Sequence, residues 1–548
     1  MMSNTESWGS RVGLVLAMAG NAVGLGNFLR FPVQAVQNGG GTFIIPYLTC
    51  FLLMGIPLLF VEWSMGRFGG KFGDHSTPFI LSNMAPKKQF LWKYVGVFGI
   101  FTNLAVAAYY CYLESWTLAY TWHSVSGSFH GQSAEGVANF FNNYVLNPGS
   151  EAFLFWIFCL VLNTYILSRG LSGGVEKVAK IGMPLLILFG IFLAYKGLTV
   201  EAGVDGAKYS SSEGLNFLWS PTPGSSIWDP KVWVAAAGQI FFTLSVGMGS
   251  IHCYASYMRK KDDVALNAMS AGWMNEFVEV CLGAAIVIPI SIGYFGIEWV
   301  IEATKTGGLG LGFRTLPYLF QQWGPTLAVI SGLFWFGLLF FAGITSSLAM
   351  GTPCMGFLQD EFKMSRQKSA WTFGAAIFIL GLPTVLFFKY GVFDEYDYWA
   401  GTISLVVFAL LEIILFAWIF GMEKGWKEIT SHADIKVPSI FKFIIKWVTP
   451  TLLLFVFVGA FFKPVDNDWN AVFQGSWVLD DGSVINTILN SGLHKKIAST
   501  TDPAQLEELN KQLTFINWSR LLLVATFAGI AALVYVAYRK RVKEGRWA

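Results

Sequence analysis

Charge is what this chain has least of. Lysine, arginine, aspartate and glutamate make up 13% of its 548 residues, where a soluble chain carries about 25%. Mean hydropathy is +0.52, and 54% of the residues are apolar, so water alone cannot be the solvent of the folded chain. The net charge is only +3, which provides no basic face for a nucleic acid. Histidine is equally sparse. Its six copies are scattered and form no HExxH or similar metal-ligating pattern. An enzyme needs a nucleophile–base or metal constellation, and none is legible, so the chain reads as a non-enzyme. The six cysteines (Cys50, Cys111, Cys159, Cys253, Cys281, Cys354) all fall in or beside apolar runs. That placement suits reduced packing residues rather than disulfides. No cleavable leader is evident, because the first apolar run lacks a small-residue cleavage site and continues through Arg30 and Pro32.

What is present in quantity is apolar length. About 20 apolar residues cross a bilayer. Twelve spans of that order are expected, at 11–36, 42–66, 92–124, 151–168, 175–197, 231–257, 271–298, 325–358, 369–388, 394–422, 438–462 and 517–538. Basic residues then set orientation. One set of loops holds Arg67, Lys71, Lys87 and Lys88, then Arg169, Lys177 and Lys180, then Arg259, Lys260 and Lys261, then Lys363, Arg366 and Lys368. The tail adds Arg539, Lys540, Arg541 and Lys543. The opposite loop 125–150 has no Lys or Arg, and 198–230 has only Lys208. Both termini are therefore expected in the cytoplasm, in a plasma membrane of bacterial inner-membrane type. In the long outer segment 464–516, Thr501-Asp502-Pro503 reads as a helix start, with a short surface helix to follow.

Two of the spans carry matching glycine interruptions. Gly20-Asn21-Ala22-Val23-Gly24-Leu25-Gly26-Asn27 lies in the first, and Thr243-Leu244-Ser245-Val246-Gly247-Met248-Gly249 in the sixth. Glycine weakens a helix by about 1 kcal/mol relative to alanine. Gly-x-Gly also serves close helix packing, so the motif alone is ambiguous. The flanking polar residues shift the balance. Asn21, Asn27 and Arg30 surround the first motif, and Gln239, Thr243 and Ser245 precede or enter the second. An offset of five spans reverses direction, as in an inverted-topology repeat. A break at mid-membrane frees carbonyls for a cation and N–H groups for a carboxylate. Span seven adds Asn275, Glu276 and Glu279, the first and last four residues apart on one face. Span eight adds the hydroxyl run Thr345-Ser346-Ser347. Such oxygens suit a hard cation but are also satisfied by their own helix.

Longer motifs join these: Trp8, Gly20 to Pro32, Asn38 to Gly41, Glu62-Trp63, Gly66-Arg67, Tyr109-Tyr110, Glu114-Ser115-Trp116, Gln239 to Ser245, Asn275-Glu276, Phe340 to Ser347 and Trp399 to Thr402. Together they resemble the neurotransmitter:sodium symporter family, most nearly its bacterial leucine-transporter-like amino-acid members. The likeness runs from about residue 8 to 425. It implies an all-α integral membrane fold of twelve transmembrane helices, a 5+5 inverted repeat with helices 1 and 6 broken at mid-membrane, and two extra C-terminal helices. The whole chain, 1–548, is then one transport domain, with repeats at 8–197 and 231–425 and the additional helices and tail at 436–548.

The resemblance also implies roles. One sodium ion would meet Ala22, Asn27, Thr243 and Asn275, and a second Gly20, Val23, Ala342, Thr345 and Ser346. The substrate carboxylate would meet the Leu25 and Gly26 N–H groups and Tyr110. Its ammonium would meet carbonyls near Asn21, Ala22, Phe242 and Thr243, with Ser245. Gly24 stands where monoamine-carrying relatives have an aspartate, so the substrate should bring its own carboxylate. The side-chain pocket would comprise Val106, Tyr110, Phe242, Ser245, Met248, Ser346 and Met350, which is apolar and uncharged. Neutral hydrophobic amino acids fit it, and the two methionines favour bulky or aromatic ones. Glu279 stands where chloride-dependent relatives have serine, which implies no chloride requirement, and Glu62 is a second charge-compensating carboxylate. The outer gate would pair Arg30 with Asp397 beneath a lid of Tyr110 and Phe242. The inner gate would use Asp360, but its usual basic partner is absent, because the stretch before Trp8 reads Ser3-Asn4-Thr5-Glu6-Ser7. The expectation is a sodium-coupled symporter of neutral amino acids in the lipid bilayer, a monomer or weak homodimer. A transport-inactive receptor of the same fold is the alternative. A channel would show symmetric charge rings or repeated carbonyl filters, which the sequence lacks.

Overall fold

The computed structural model describes residues 6–85, 89–222, 224–305 and 307–546. Among them the chain is helical throughout, with two isolated bridges and no strand. Ten helices are long and apolar enough to cross a bilayer. In chain order with their neighbours, α1 is Arg11–Ala22 and α2 Leu25–Gln37, a pair bent by 51°. α3 is Gly41–Gly70, α4 Leu91–Val125, α5 Ser150–Ser168 and α6 Leu171–Leu198. α7 is Pro230–Leu244 and α8 Ser250–Ser256. α9 is Val264–Phe295, α10 Pro325–Phe362, α11 Arg366–Leu386, α12 Val392–Thr430, α13 Ile440–Phe461 and α14 Pro503–Lys543.

Local chemistry fixes the helix ends. Ser10 caps α1 through Gly13, Asp229 caps α7 just before Pro230, and Asp263 caps α9 through Leu266. Each satisfies an N–H that the first turn leaves free. The outer faces of the peripheral helices are apolar. Leu154, Phe158, Leu188, Ile379, Phe455 and Val524 are all exposed, as lipid contact requires. Inside, α10 packs along α4 and α6, α1 fits against α6, α9 and α10, and α8 lies on α3. Five cysteines are buried, whereas Cys281 is exposed on α9, and all six are free thiols.

One expectation needs correction. The segment after Thr501-Asp502-Pro503 is not a short surface helix. Asp502 does cap it, accepting from the Ala504 N–H at 3.0 Å, but the helix then runs unbroken for 41 residues to Lys543. Nothing between 503 and 517 breaks helical geometry, so the polar stretch extends the last span outward.

Candidate functional site

The two interrupted helices cross in opposite directions. Trp8, ahead of α1, donates its indole N–H to the Tyr254 carbonyl of α8 at 3.0 Å and sets its ring edge-on to Tyr254. At the end of α1 the Asn21 carbonyl accepts from the Ser245 hydroxyl at 2.9 Å. Past the bend, the Arg30 guanidinium lies 4.3 Å over the Phe242 ring of α7. These three contacts, in that order, lay one break against the other.

The groups freed at each break have partners, as buried backbone must. The Gly24 N–H donates to Asn27 Oδ1 at 2.8 Å, and the Leu25 N–H to Tyr110 Oη at 3.1 Å. At the second break the Gly247 N–H donates to Glu62 Oε1, and the Met248 carbonyl accepts from Asn103, both at 2.6 Å. The chain turns there through left-handed φ of 53° at Ser245, 74° at Gly247 and 91° at Gly249. Gly247 also sits where a Cβ would strike the Leu405 carbonyl, so both its shape and its backbone require glycine.

Beside the breaks lies a buried polar cluster. Asn27, Gln239, Thr243, Asn275 and Glu279 are each at most 1% exposed. The Asn27 amide nitrogen is 3.1 Å from Thr243 Oγ1, 2.9 Å from Asn275 Oδ1 and 2.9 Å from Glu279 Oε2. An amide nitrogen has two protons, so three oxygens compete for them. Thr243 also hydrogen-bonds Glu279, while Gln239 donates to the other Glu279 oxygen at 2.6 Å. Amide, hydroxyl and carboxylate oxygens gathered this closely form a set that can bind a hard cation. Glu279 sits in a widened turn, Phe277–Gly283, within α9. A second set lies where α1 meets α10. The Ser346 hydroxyl donates to the Gly20 carbonyl at 3.2 Å, and the Thr345 hydroxyl to the Phe341 and Ala342 carbonyls at 2.9 and 3.3 Å. A Cβ on Gly20 would come within 2.8 Å of Thr345, so glycine permits this approach. Val23, at the end of α1, donates its N–H to Ala19.

A cavity of about 40 Å³ opens between the breaks. Of the residues singled out from sequence, Ala22, Gly24, Gly26, Asn27, Val106, Tyr110, Phe242, Thr243, Ser245, Met248, Ser346 and Met350 line it. Asn21 and Leu25 do not; they contribute a carbonyl and an N–H beside it. Tyr109, Gly401 and Leu405 complete the wall and were not anticipated. A Cβ on Gly24 would sit 2.9 Å from Tyr110 Oη and 3.1 Å from Ser346 Oγ, so any side chain there would enter the cavity's polar end.

The residues expected to act as gates have the following partners. Asp397 accepts from Tyr109 at 2.6 Å, while Arg30 is over Phe242. Asp360 accepts from the His75 N–H at 2.8 Å. The acid of the N-terminal segment, Glu6, pairs with Arg366 and accepts from the Leu171 N–H at 2.9 Å. Arg541, near the end of α14, is 2.5 Å from Asp74, pairs with Glu361, and covers the Phe79 ring at 3.6 Å. The basic group beside Asp74 and Glu361 thus comes from the far end of the chain. No local pattern announces that pairing, because hundreds of residues separate the partners.

Comparison with known proteins agrees with this geometry. The sodium:neurotransmitter symporter family matches residues 5–139 and 137–489. An uncharacterised sodium-dependent transporter of Methanocaldococcus jannaschii is 30% identical over 460 residues, covering 82% of this chain and 89% of its own. Another, from Haemophilus influenzae, is 29% identical over 477 residues, covering 83% and 98%. Among solved structures, MhsT in complex with L-phenylalanine aligns with a TM-score of 0.72 at 29% identity, covering 83% of this chain and all of that one. The crossed, interrupted helices therefore sit in a multi-pass membrane transporter, and the chain belongs to the sodium:neurotransmitter symporter family.

Proposed function

We propose that the chain is a chloride-independent, sodium-coupled symporter of neutral, hydrophobic L-amino acids, aromatic ones included, working by alternating access. The observation that carries this is the cavity between two antiparallel helix breaks, with oxygen-rich clusters on either side of it. The Leu25 and Gly26 N–H groups and Tyr110 receive the carboxylate. Carbonyls near Asn21, Ala22, Phe242 and Thr243, with the Ser245 hydroxyl, receive the ammonium. Sodium is held at Ala22, Asn27, Thr243 and Asn275, and again at Gly20, Val23, Ala342, Thr345 and Ser346. Val106, Met248 and Met350 meet the side chain.

At about 40 Å³ the cavity is narrow for an amino acid. A bulky side chain must displace Met248 and Met350, which are unbranched and rotate readily. That MhsT is seen with L-phenylalanine supports this substrate class. Glu279 supplies fixed negative charge beside the first sodium, which removes the need for a chloride ion, and Glu62 holds the second break. Ion and substrate share one site, so each raises the other's affinity. One helix bundle rocks against a scaffold around this midplane site, both termini are cytoplasmic in a bacterial inner membrane, and the chain is a monomer or weak homodimer.

The test is uptake of labelled L-phenylalanine into proteoliposomes, with competition by a panel of amino acids. Leucine, methionine, tyrosine and tryptophan should compete, whereas glutamate, lysine and dopamine should not. Binding without accumulation would favour a transport-inactive receptor.

A further inference from the structure

Away from the cavity, three ionisable side chains form a closed row. His252 of α8 faces both Glu62 of α3 and Glu412 of α12, and the two carboxyls also hydrogen-bond each other. Its Nδ1 is 3.5 Å from Glu62 Oε2 and its Nε2 is 3.5 Å from Glu412 Oε2. All three are 0% exposed. Among the described residues, both ring nitrogens, both Glu412 oxygens and Glu62 Oε2 have no hydrogen-bonding partner outside this row. The Phe408 ring closes one side.

Their surroundings offer no counter-charge. On α8 itself the neighbours are Cys253 and Tyr254, whose carbonyl holds Trp8. On α3, Arg67 is turned to Glu428, Ser431 and the Asp262 carbonyl. On α10, Cys354 bonds the Ile100 carbonyl and Asp360 the His75 N–H. On α1, Arg11 is turned to Asn267 and Asp434. The helix Thr77–Met84 brings no ionisable side chain, and His75 before it bonds Ser256.

Proton counting follows from the ring. A neutral imidazole has one donor and one acceptor nitrogen. It can donate to one carboxylate only while the other side is a carboxylic acid. An imidazolium donates to both. Either arrangement holds one proton more than two bare carboxylates and a neutral ring, a state that sealed, unpaired charge makes costly. One further proton neutralises the row. The row is tied to the transport site, because the other Glu62 oxygen accepts from the Gly247 N–H inside the second break.

We propose that Glu62, His252 and Glu412 form a proton-binding site, separate from Glu279, that gives up a proton as sodium and substrate fill the cavity and takes one up as the empty carrier returns. This rests on the symport reading. Movement of the second break redirects Glu62 and parts the two acids, and the proton they share leaves through His252, which accepts on one nitrogen and releases from the other.

The test is proton release by the detergent-purified full chain. Sodium chloride and L-phenylalanine are added in weakly buffered solution between about pH 6 and 8, and a pH indicator reads the change. Wild type should release close to one proton per chain, and H252Q less than about a fifth of that. E412Q should show the same loss, so the test survives if H252Q fails to fold. Release by both variants equal to wild type, or none by wild type, overturns the proposal. Sodium-driven uptake into proteoliposomes is the separate readout. Its absence in wild type refutes symport, while proton release on sodium binding still decides whether this site exists.

Discussion

Gly24 is the residue on which the substrate class turns. A side chain there meets Tyr110 and Ser346 at the cavity's polar end. Gly24→Asp should therefore lower L-phenylalanine uptake by about 100-fold, near 3 kcal/mol, by placing a carboxylate where the substrate's own belongs. Unchanged uptake would show that the carboxylate binds elsewhere. Glu279 gives a second expectation. Glu279→Ser removes the fixed charge beside Asn27 and Thr243, and sodium-driven uptake should then depend on chloride, measured by replacing chloride with gluconate. His75 gives a third. Burial lowers its pKa to about 4, so the folded chain keeps it neutral where an unfolded chain protonates it below about 6.5. Its contribution to stability is present above that value and declines as pH falls toward 4. His75→Gln should make thermal unfolding less sensitive to pH across this window. At this scale the sequence was informative wherever a residue type was anomalous for its setting. An amide, an acid or a paired glycine in an apolar run costs free energy unless it has work to do, and Asn27, Asn275, Glu279, Gly24 and Gly247 stand out for that reason. His252 did not stand out, because its two acids lie on other helices, 190 and 160 positions away.

Among elements, the breaks were legible and the long-range clasps were not. The capping residue Asp502 marks the start of α14, yet nothing local says that the helix runs on through 41 residues. It clasps the bundle at both ends. At one end Arg520 binds both Glu395 oxygens at 2.6 and 2.9 Å. At the other Arg541 answers Asp74 and Glu361. Arg541→Ala leaves those acids buried without a cation, which should cost about 3–5 kcal/mol and lower the unfolding temperature markedly. The N-terminal segment makes the opposite kind of contact. Glu6 pairs with Arg366, so the N-terminal segment contributes an acid to its ion pair. Glu6→Arg alone should change transport rate a few-fold, and the exchange Glu6→Arg with Arg366→Glu should restore it. Failure of the exchange to rescue would make the pair incidental. Both side chains are partly exposed, so the coupling should stay near 1 kcal/mol or below.

Across the whole molecule, scarcity of charge and apolar length were enough to place the chain in a membrane, while the family resemblance was carried by the long motifs between Trp8 and Thr402. Pocket volume was not legible, since it depends on how residues from distant segments, Tyr109, Met248, Met350 and Leu405 among them, meet in the wall. The central claim is that the two breaks lend their main-chain dipoles jointly to an amino acid and its sodium ions. The most direct measurement is accumulation of labelled L-phenylalanine in proteoliposomes under an inward sodium gradient, with gluconate in place of chloride. Accumulation above the external concentration, collapsing when a sodium ionophore dissipates the gradient, is the predicted result. Accumulation indifferent to sodium, or saturable binding with no accumulation, would contradict it.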